Sequence, residues 1–382
     1  MNFEQLFSVI DSLKNTYLDL WEKVCNIESP TSYKKGIDEV GEVFIEIAKS
    51  RGWLVEVFKH DIAGNAICIT INPDADAAPV VFSGHIDTVH PLGFFGTPAV
   101  RHEKGRLCGP GVMDCKGGTV ASLMALDALS ECGFNARPVK LIIQTDEETG
   151  SKTSNKETIN FMLEKAKGAI AFLNAEGIQG NTAVVKRKGI LRYRFNIHGK
   201  AAHSSTCDKG ASAILEAAHK IIELEKLKDS EGITCNCGVI EGGTAANSVA
   251  DSCFFIADFR FADEFQMEVI ENKVQKLSED IAIDDCSCVI EKMSERPPMP
   301  LCRANLELLK RMNEIYAECS LPELAPRFCL SGSDAAYTTM AGIPTIDNIG
   351  VDGGRIHSIE EFAKKHSLTA AAKRLAVVAF SI

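Results

Sequence analysis

The sequence has no long apolar run and no basic region at its N-terminus. No uninterrupted apolar stretch among its 382 residues approaches the roughly 18 residues of a membrane-spanning helix. The first five residues, MNFEQ, lack the basic region and apolar core of a signal peptide. These features argue against a membrane-spanning or secreted protein, and we expect a cytoplasmic one.

Basic charge is also scarce. The chain has 41 Lys and Arg against 52 Asp and Glu, a formal net charge of −11, and no block of about five or more like charges. This balance argues against nucleic acid and anionic membrane surfaces as partners. A nucleotide-binding loop is disfavoured too, because the glycines of 109–118 miss the dinucleotide spacing and no P-loop Lys-Ser/Thr follows them. Small molecules are the expected partners.

Cysteine is plentiful, with 14 residues scattered through apolar segments of a long chain. In a short secreted chain such a number would indicate disulfides, but here buried free thiols are the preferred interpretation. Cys235-x-Cys237 and Cys286-x-Cys288 resemble zinc pairs only superficially, because they lie in predicted strands and the usual spacing is two to four residues.

The length and the 45% hydrophobic content favour two domains. Apolar periodicity predicts helices at 3–26 and 35–51, then buried strands alternating with helices. From about residue 184 the pattern changes to long strands at 184–198 and 247–260, and a proline cluster follows at 297–300. We therefore predict an α/β fold whose mixed central sheet is flanked by helices. The α/β domain comprises residues 1–183 and 298–382, including a last helix at 360–380, and an α+β domain with an antiparallel sheet and two helices is inserted at 184–297.

Three of the predicted apolar strands end in turns that carry histidine or acidic residues. His85 and Asp87 follow the first strand, Glu147 and Glu148 follow the second, and Glu176 follows the third. An Asp two residues after a histidine is a natural partner for the second ring nitrogen of a metal ligand. Singly, each residue also suits an ordinary role in a turn, a cap or a solvated pair. Adjacent carboxylates at the end of an apolar strand nevertheless favour a metal, because their like charges need compensation.

Five motifs resemble those of the dinuclear zinc peptidases and deacylases, a family that includes glutamate carboxypeptidase, acetylornithine deacetylase, succinyl-diaminopimelate desuccinylase, aminoacylase and peptidase T. The motifs are SGHIDTV (83–89), GPGVMDCKGG (109–118), TDEETG (145–150), GSDAAY (332–337) and the late His357. The resemblance covers essentially the whole chain and is strongest to the glutamate carboxypeptidase branch.

The resemblance implies a role for each acidic turn. His85 and Glu176 would bind one zinc ion, Glu148 and His357 the other, and Asp114 would bridge them. Asp87 would orient His85, Glu147 would be the general base, and the Asp114–Cys115 peptide would be cis.

The resemblance also makes the inserted domain a lid. His203 would polarise the scissile carbonyl, and Asn247 together with Arg260 would grip a substrate carboxylate. Ser204-Ser205 departs from the small residue and glycine that many relatives carry after this histidine. The basic segment Lys186–Lys188 could face an acidic substrate, although a solvated strand end is the simpler interpretation.

The implied activity is hydrolysis of an amide bond next to a C-terminal amino acid with a free carboxylate, as in a carboxypeptidase or dipeptidase. Deacylation of N-acyl amino acids is the first alternative, and a non-catalytic amino-acid or metal-binding module is the second. The intact Glu147 disfavours the module, because binding alone needs no base. We expect two divalent ions, zinc first and cobalt or manganese as alternatives, a small peptide or N-acyl amino acid as substrate, and a homodimer formed through the lid.

Overall fold

The computed structural model describes residues 2–229 and 232–382. The α-helices in these residues are α1 (Phe3–Asn26), α2 (Lys34–Ser50), α3 (Lys116–Glu131), α4 (Glu157–Ala166), α5 (Ala213–Glu225), α6 (Glu264–Glu279), α7 (Arg303–Glu318), α8 (Ala335–Met340) and α9 (Ser367–Ser381). The strands are β1 (Leu54–Phe58), β2 (Ala66–Ile71), β3 (Val80–His85), β4 (Arg101–Glu103), β5 (Arg106–Cys108), β6 (Val139–Gln144), β7 (Ala171–Asn174), β8 (Thr182–Arg187), β9 (Gly189–His198), β10 (Thr234–Gly242), β11 (Ser252–Phe261), β12 (Ser287–Arg296), β13 (Ala325–Cys329), β14 (Thr345–Ile346), β15 (Gly353–Gly354) and β16 (Phe362–Lys364). None of the helices in the described residues is long and apolar enough to span a bilayer.

The chain divides into two compact units. The first runs to Val185 and includes Leu301–Phe328 and Tyr337–Ile382, while the second comprises Lys186–Pro300 and Cys329–Ala336. These divisions lie close to the boundaries expected after residues 183 and 297. The sequence had placed Cys329–Ala336 in the last α/β segment. In the structure this segment groups with the second unit, where the Arg187 guanidinium donates to the carbonyl oxygens of Ser331 and Gly332.

A mixed six-stranded sheet in the order β1-β2-β6-β3-β7-β14 forms the centre of the first unit. Strands β6, β3, β7 and β14 run parallel to one another, whereas β2 pairs antiparallel with both β1 and β6. Every residue of β3 is buried, as expected for a central strand covered on both faces. The predicted α/β architecture is confirmed.

Helix α3 is buried along almost its whole length and packs against α1 and α9. Its first turn contains Gly117 and Gly118, and the chain after β7 passes very close to it. A Cβ on Gly118 would lie 1.8 Å from the carbonyl oxygen of Ala175, so only glycine permits this approach. The glycine pair thereby brings the N-terminus of α3 against the end of β7.

The second unit contains an antiparallel sheet in the order β10-β11-β9-β12, with α5 and α6 packed on it. Buried and less buried residues alternate along β9 and β11, and this alternation defines the face that forms the core. Phe195 and Phe255 stack at the centre of that face, with ring centroids 4.6 Å apart. The predicted antiparallel sheet with two helices is confirmed.

Three predictions of secondary structure were wrong. The expected single strand at 184–198 is interrupted at Lys188, because β8 pairs with β13 while β9 pairs with β11 and β12. The expected strand at 247–260 begins only at Ser252. The expected helix at 360–380 begins at Ser367, since Phe362–Lys364 forms β16 and pairs with β5. This pairing belongs to a small sheet, β15-β16-β5-β4, that the sequence pattern did not indicate.

Candidate active site

The ends of three parallel strands place the acidic turns next to one another. Strand β3 lies between β6 and β7, and ends at His85. The turn after β6 contains Glu147 and Glu148, and the turn after β7 contains Glu176. Because the carboxyl ends of neighbouring parallel strands share an edge of the sheet, these side chains converge there.

Asp114, just before α3, lies between two histidines. Its Oδ1 is 3.1 Å from Nε2 of His85, and its Oδ2 is 3.1 Å from Nε2 of His357. Glu176 Oε1 lies 3.5 Å from the same nitrogen of His85, and Glu148 Oε2 lies 3.3 Å from that of His357. The structure thus brings the five expected ligands together as two clusters that share Asp114. The expected cis peptide between Asp114 and Cys115 is confirmed.

Asp87 is fully buried beside His85 and fixes the neighbouring turn. Its Oδ1 lies 3.3 Å from Nδ1 of His85 and accepts a hydrogen bond from the backbone N–H of Glu147. Its Oδ2 accepts from the Thr31 hydroxyl at 2.7 Å and from the backbone N–H of Glu148 at 3.1 Å. Burial alone would raise the pKa of Asp87, but the hydrogen bonds from His85, Thr31 and the Glu148 backbone outweigh burial and lower it. Nδ1 of His85 also donates to the backbone carbonyl oxygen of Asp87 at 3.1 Å, so Asp87 fixes the ring with Nε2 directed at Asp114 and Glu176.

The pKa shifts of the cluster show a concentration of negative charge. Burial, with the charge of Asp114, raises the pKa of Glu148 to about 8 and that of Glu176 to about 7. Hydrogen bonds to Asp114 and Glu148 raise the pKa of His357 to about 10. Burial favours the neutral form of His85, yet the adjacent carboxylates raise its pKa well above the usual value. Burial would also raise the pKa of Asp114, but hydrogen bonds from His357 and His85 outweigh burial and lower it. Glu148, Glu176 and both histidines thus hold protons more tightly than usual around an ionised Asp114, which is the response of a site rich in negative charge.

This donor set fits divalent cations. Donor atoms of His85, Asp114 and Glu148 all lie within 4.8 Å of one another, and those of His85, Cys115 and Glu176 form a second such group. Imidazole nitrogens and carboxylates are established zinc ligands. The Cys115 thiol had not been considered as a donor. Burial raises its pKa well above the usual value and therefore favours the neutral thiol, which makes Glu176 the better ligand there.

Glu147 lies next to this cluster in the same short 3₁₀ helix as Glu148, and its side chain is largely buried. Its backbone is held by Asp87, as described above. Its position in this turn places it directly beside Glu148.

The sequence analysis missed Glu361, a fully buried carboxylate that fixes the Asp114 loop. Its Oε1 accepts hydrogen bonds from the backbone N–H groups of Met113 at 2.9 Å and Asp114 at 3.1 Å. Its Oε2 accepts from the N–H of Gly111 at 3.3 Å and lies 3.7 Å from Nε2 of His90. Burial raises the pKa of Glu361, and these contacts partly oppose the rise. No motif spacing links it to Asp114, so only the fold could reveal it.

Within the second unit, His203 is exposed and oriented by the residues that follow it. The backbone N–H of Ser205 donates to Nδ1 of His203 at 3.2 Å, and the Ser205 hydroxyl lies 2.8 Å from the same nitrogen. A backbone N–H can only donate, so Nδ1 accepts and Nε2 carries the proton of the neutral ring. Ser205, noted as a departure from many relatives, therefore fixes the tautomer.

The second unit does not bring Asn247 and Arg260 together. Asn247 lies beside the His203 loop, where its backbone carbonyl accepts from the N–H of Ser204 at 2.9 Å. Arg260 is the penultimate residue of β11, and Asn247 precedes the start of that strand. At about 3.3 Å per strand residue, the length of β11 separates them by more than 20 Å. The expectation that both grip one carboxylate is therefore not met within a single chain.

The basic segment Lys186–Lys188 is more buried than the expected solvated strand end. Arg187 is only 3% exposed and donates to backbone carbonyls, as described above. Lys188 donates from Nζ to the carbonyl oxygen of Gly232. Both side chains hold backbone segments of the second unit.

Comparison with known proteins agrees with this fold. The chain is 25% identical over 360 residues to carboxypeptidase G2 of Pseudomonas sp. (strain RS-16), with 92% of this chain and 86% of that protein covered. It is 28% identical over 235 residues to acetylornithine deacetylase of Myxococcus xanthus, with 58% and 60% covered. The crystal structure of aminopeptidase PepT from Bacillus cereus matches the fold with a TM-score of 0.75 and 22% identity, over 99% of this chain and 98% of that one. A profile of Peptidase family M20/M25/M40 matches residues 81–380. Together with the two histidine-carboxylate clusters, this match shows that the chain belongs to Peptidase family M20/M25/M40 and is a metal-dependent hydrolase of that family.

Proposed function

We propose that this hydrolase removes a C-terminal amino acid from a small peptide by cleaving the amide bond next to it. The observation that carries this proposal is the position of Asp114, which directs one carboxylate oxygen toward each of two histidines. The Pseudomonas relative is a carboxypeptidase by name, which supports a substrate with a free carboxylate.

The proposed metal ligands are His85 and Glu176 at one position, His357 and Glu148 at the other, and Asp114 between them. Two divalent ions, zinc as the first choice and cobalt or manganese as alternatives, would supply Lewis acidity for amide hydrolysis there. The backbone carbonyl and the carboxylate of Asp87 hold the Nδ1–H of His85 and so leave Nε2 as the nitrogen that would bind a metal.

Glu147 is the proposed general base. It takes a proton from the attacking water and passes it to the nitrogen of the leaving amine, so that the released amino acid departs as a neutral amine. The assignment is supported by the position of Glu147, which is adjacent to Glu148 in the turn after β6 and has its backbone N–H bound by Asp87. General acid–base help of this kind is typically worth about 10²–10⁴-fold in rate.

His203 is the proposed electrophile toward the scissile carbonyl. The hydrogen bond from Ser205 to Nδ1 leaves the Nε2–H as the donor, as a group that stabilises negative charge on a carbonyl oxygen requires.

Arg260 is the proposed contact for the free carboxylate of the substrate. Its Nε donates to Asp258 at 2.9 Å, and among the described residues its two terminal nitrogens make no further hydrogen bond. These terminal nitrogens form the part of the guanidinium fork that best fits a carboxylate.

The second unit is the proposed lid, and a homodimer formed through it is the proposed assembly. The dimer is supported by the distance between the substrate-contact residues of one chain, because His203 and Asn247 lie at one end of β11 and Arg260 lies at the other. Two copies related by a two-fold axis offer a way for both sets to reach one substrate.

Deacylation of N-acyl amino acids remains the second candidate, supported by the similarity to an acetylornithine deacetylase. Both reactions release an amine that bears a carboxylate, so the proposed role of Arg260 serves either. A panel of dipeptides and acyl amino acids with the same C-terminal residue would separate them.

Comparison of a substrate with its C-terminal amide tests the Arg260 contact. An amide offers no anion, and loss of one partner from a partly desolvated charge pair costs about 2–5 kcal/mol, or roughly thirtyfold to several thousandfold in kcat/KM. Wild type should therefore cleave the acid far better than the amide, and Arg260→Ala should remove most of this preference.

Arg192→Ala is the matched control for Arg260→Ala. Arg192 also pairs with Asp258, with its Nη2 at 2.7 Å from Oδ2, but is given no substrate role. The Arg192→Ala variant should still cleave the substrate with a free C-terminal carboxylate better than its C-terminal amide. Equal cleavage of acid and amide by wild type would contradict the carboxylate contact and favour an aminopeptidase-like orientation.

A further inference from the structure

A second group of potential metal ligands lies in the second unit. Cys235 and Cys237 are two residues apart in β10, so their side chains point to the same face of the sheet. The burial pattern agrees, because Thr234 and Asn236 are exposed, whereas Cys235 is buried and Cys237 partly buried. The two thiols therefore lie side by side on the face that packs against α5.

A carboxylate from α5 completes the group. Glu225 is the last residue of this helix, and its Oε1 accepts a hydrogen bond from the backbone N–H of Cys237 at 3.3 Å. One donor atom from each of Glu225, Cys235 and Cys237 lies within 4.8 Å of the other two. Glu225 and Cys237 are partly accessible to solvent, which gives a cation a path to the buried sulfur of Cys235.

We propose that Glu225, Cys235 and Cys237 form a separate binding site for a thiophilic divalent cation such as Zn²⁺. Two thiolates and one carboxylate supply three of the four ligands of a tetrahedral zinc site, and water supplies the fourth. Each thiol loses one proton on binding, so two protons leave as one cation enters. The site joins the end of α5 to the edge strand β10.

Two simpler roles are open to the same residues. A disulfide between the cysteines is disfavoured, since residues two apart in a strand have Cα atoms about 6.8 Å apart, at the upper limit for such a bond. A cation bound between the two sulfur atoms allows them to lie further apart than a disulfide bond does. The second role is a hydrogen bond from Glu225 that covers the open edge of β10 and involves no metal.

Lys228 is the feature that opposes a cation here, because its ammonium group pairs with Glu225. Its side chain is 50% exposed, and exposed pairs of this kind are worth only about 0–1 kcal/mol. Lys228 can therefore leave for solvent when a cation enters.

The chain offers a matched control for a cysteine variant. Cys286, just before β12, and Cys288, within β12, form another Cys-x-Cys pair beside the same sheet, and no potential metal group in the described residues includes them. Cys235→Ala/Cys237→Ala and Cys286→Ala/Cys288→Ala thus remove the same number of thiols from one sheet.

The test is to titrate full-length protein with Co²⁺ and Zn²⁺ and to measure bound metal and sulfur-to-cobalt charge-transfer absorption. We expect wild type and the Cys286/Cys288 variant to bind one more equivalent than the Cys235/Cys237 variant, and only the latter to lose the dithiolate part of the absorption. Hydrolysis should be equal in both variants, so failure of this inference is distinguishable from failure of the proposed function.

Glu225→Gln, a change at a partly exposed position, covers the case in which the double cysteine variant does not fold. It should keep the dithiolate absorption while weakening Co²⁺ binding at this site by at least about tenfold, the lower end of the loss that outer hydrogen-bond partners cause. Equal stoichiometry and absorption in wild type and the Cys235/Cys237 variant would overturn the proposal. So would a Cys235–Cys237 disulfide in the purified protein, found by mass spectrometry, or undiminished Co²⁺ affinity in Glu225→Gln.

Discussion

Replacement of Glu361 by Gln probes how the protein holds the loop of Asp114. The carboxylate accepts three backbone N–H bonds, two at Oε1 from Met113 and Asp114 and one at Oε2 from Gly111. Glutamine keeps one acceptor oxygen and places an amide NH₂ group where the other was. The change therefore leaves the shape of the side chain and removes part of its hydrogen bonding.

The size of the effect follows from these three bonds. The two bonds to the retained oxygen change from charge-assisted to neutral, a loss of about 1 kcal/mol each. The N–H of Gly111 then faces another donor, and an unsatisfied buried donor costs about 1–3 kcal/mol. The free energy of unfolding should fall by about 3–5 kcal/mol. Because the loop carries Asp114, the proposed shared ligand, metal affinity should fall by about tenfold to a hundredfold, as for other partners of metal ligands.

Urea unfolding followed by tryptophan fluorescence measures the first effect. Both tryptophans, Trp21 and Trp53, are buried in the first unit and report on it directly. Competition with a chromophoric chelator measures the second. Glu307→Gln is the control, since Glu307 pairs with Arg303 on the surface of α7 and should change stability by less than about 1 kcal/mol. If Glu361→Gln matched this control in both assays, the proposed support of Asp114 would be refuted.

Two further predictions concern pH and assembly. Metal affinity should rise as pH increases through 7 and 8, the values to which burial raises the pKa of Glu176 and Glu148, because these carboxylates bind protons below those values and metal above them. Calorimetry in buffers of different ionisation enthalpy should detect the protons released on metal binding. A metal affinity that does not change with pH would contradict this prediction. If each site of the proposed dimer combines Arg260 of one subunit with His203 of the other, a mixture of inactive His203→Ala and Arg260→Ala proteins should regain about a quarter of wild-type activity. Half of the dimers are then mixed, and each mixed dimer has one intact site out of two. No recovery of activity after subunit exchange would count against shared sites.

Local patterns predicted much of the fold. The apolar spacing in residues 3–26 matches α1 closely, and the apolar run before Thr145 matches β6. Such elements are determined by their own periodicity, because one face or the whole strand is buried. The acidic turns could be predicted to converge for the same reason, once their strands were taken as parallel neighbours.

Features that depend on pairing partners were not predictable in this way. Buried and less buried residues alternate from Val185 to His198, yet the strand breaks at Lys188 because its two halves pair with different strands. Phe362–Lys364 continues a helical pattern in sequence but pairs with β5. Glu361, adjacent to this strand, was missed for the same reason, since its link to Asp114 spans 247 residues. The separation of Asn247 from Arg260 likewise depends on where β11 begins.

The measurement that tests the central claim most directly is metal content and turnover of Glu147→Gln beside those of Asp114→Ala. If the histidine-carboxylate clusters bind two divalent ions and Glu147 transfers the proton, Glu147→Gln should retain close to two ions per chain while turnover falls by about 10²–10⁴-fold. Asp114→Ala should lose metal as well as activity, because the aspartate lies between both histidines. Near-normal turnover of Glu147→Gln, or full hydrolysis by protein stripped of metal, would contradict the account.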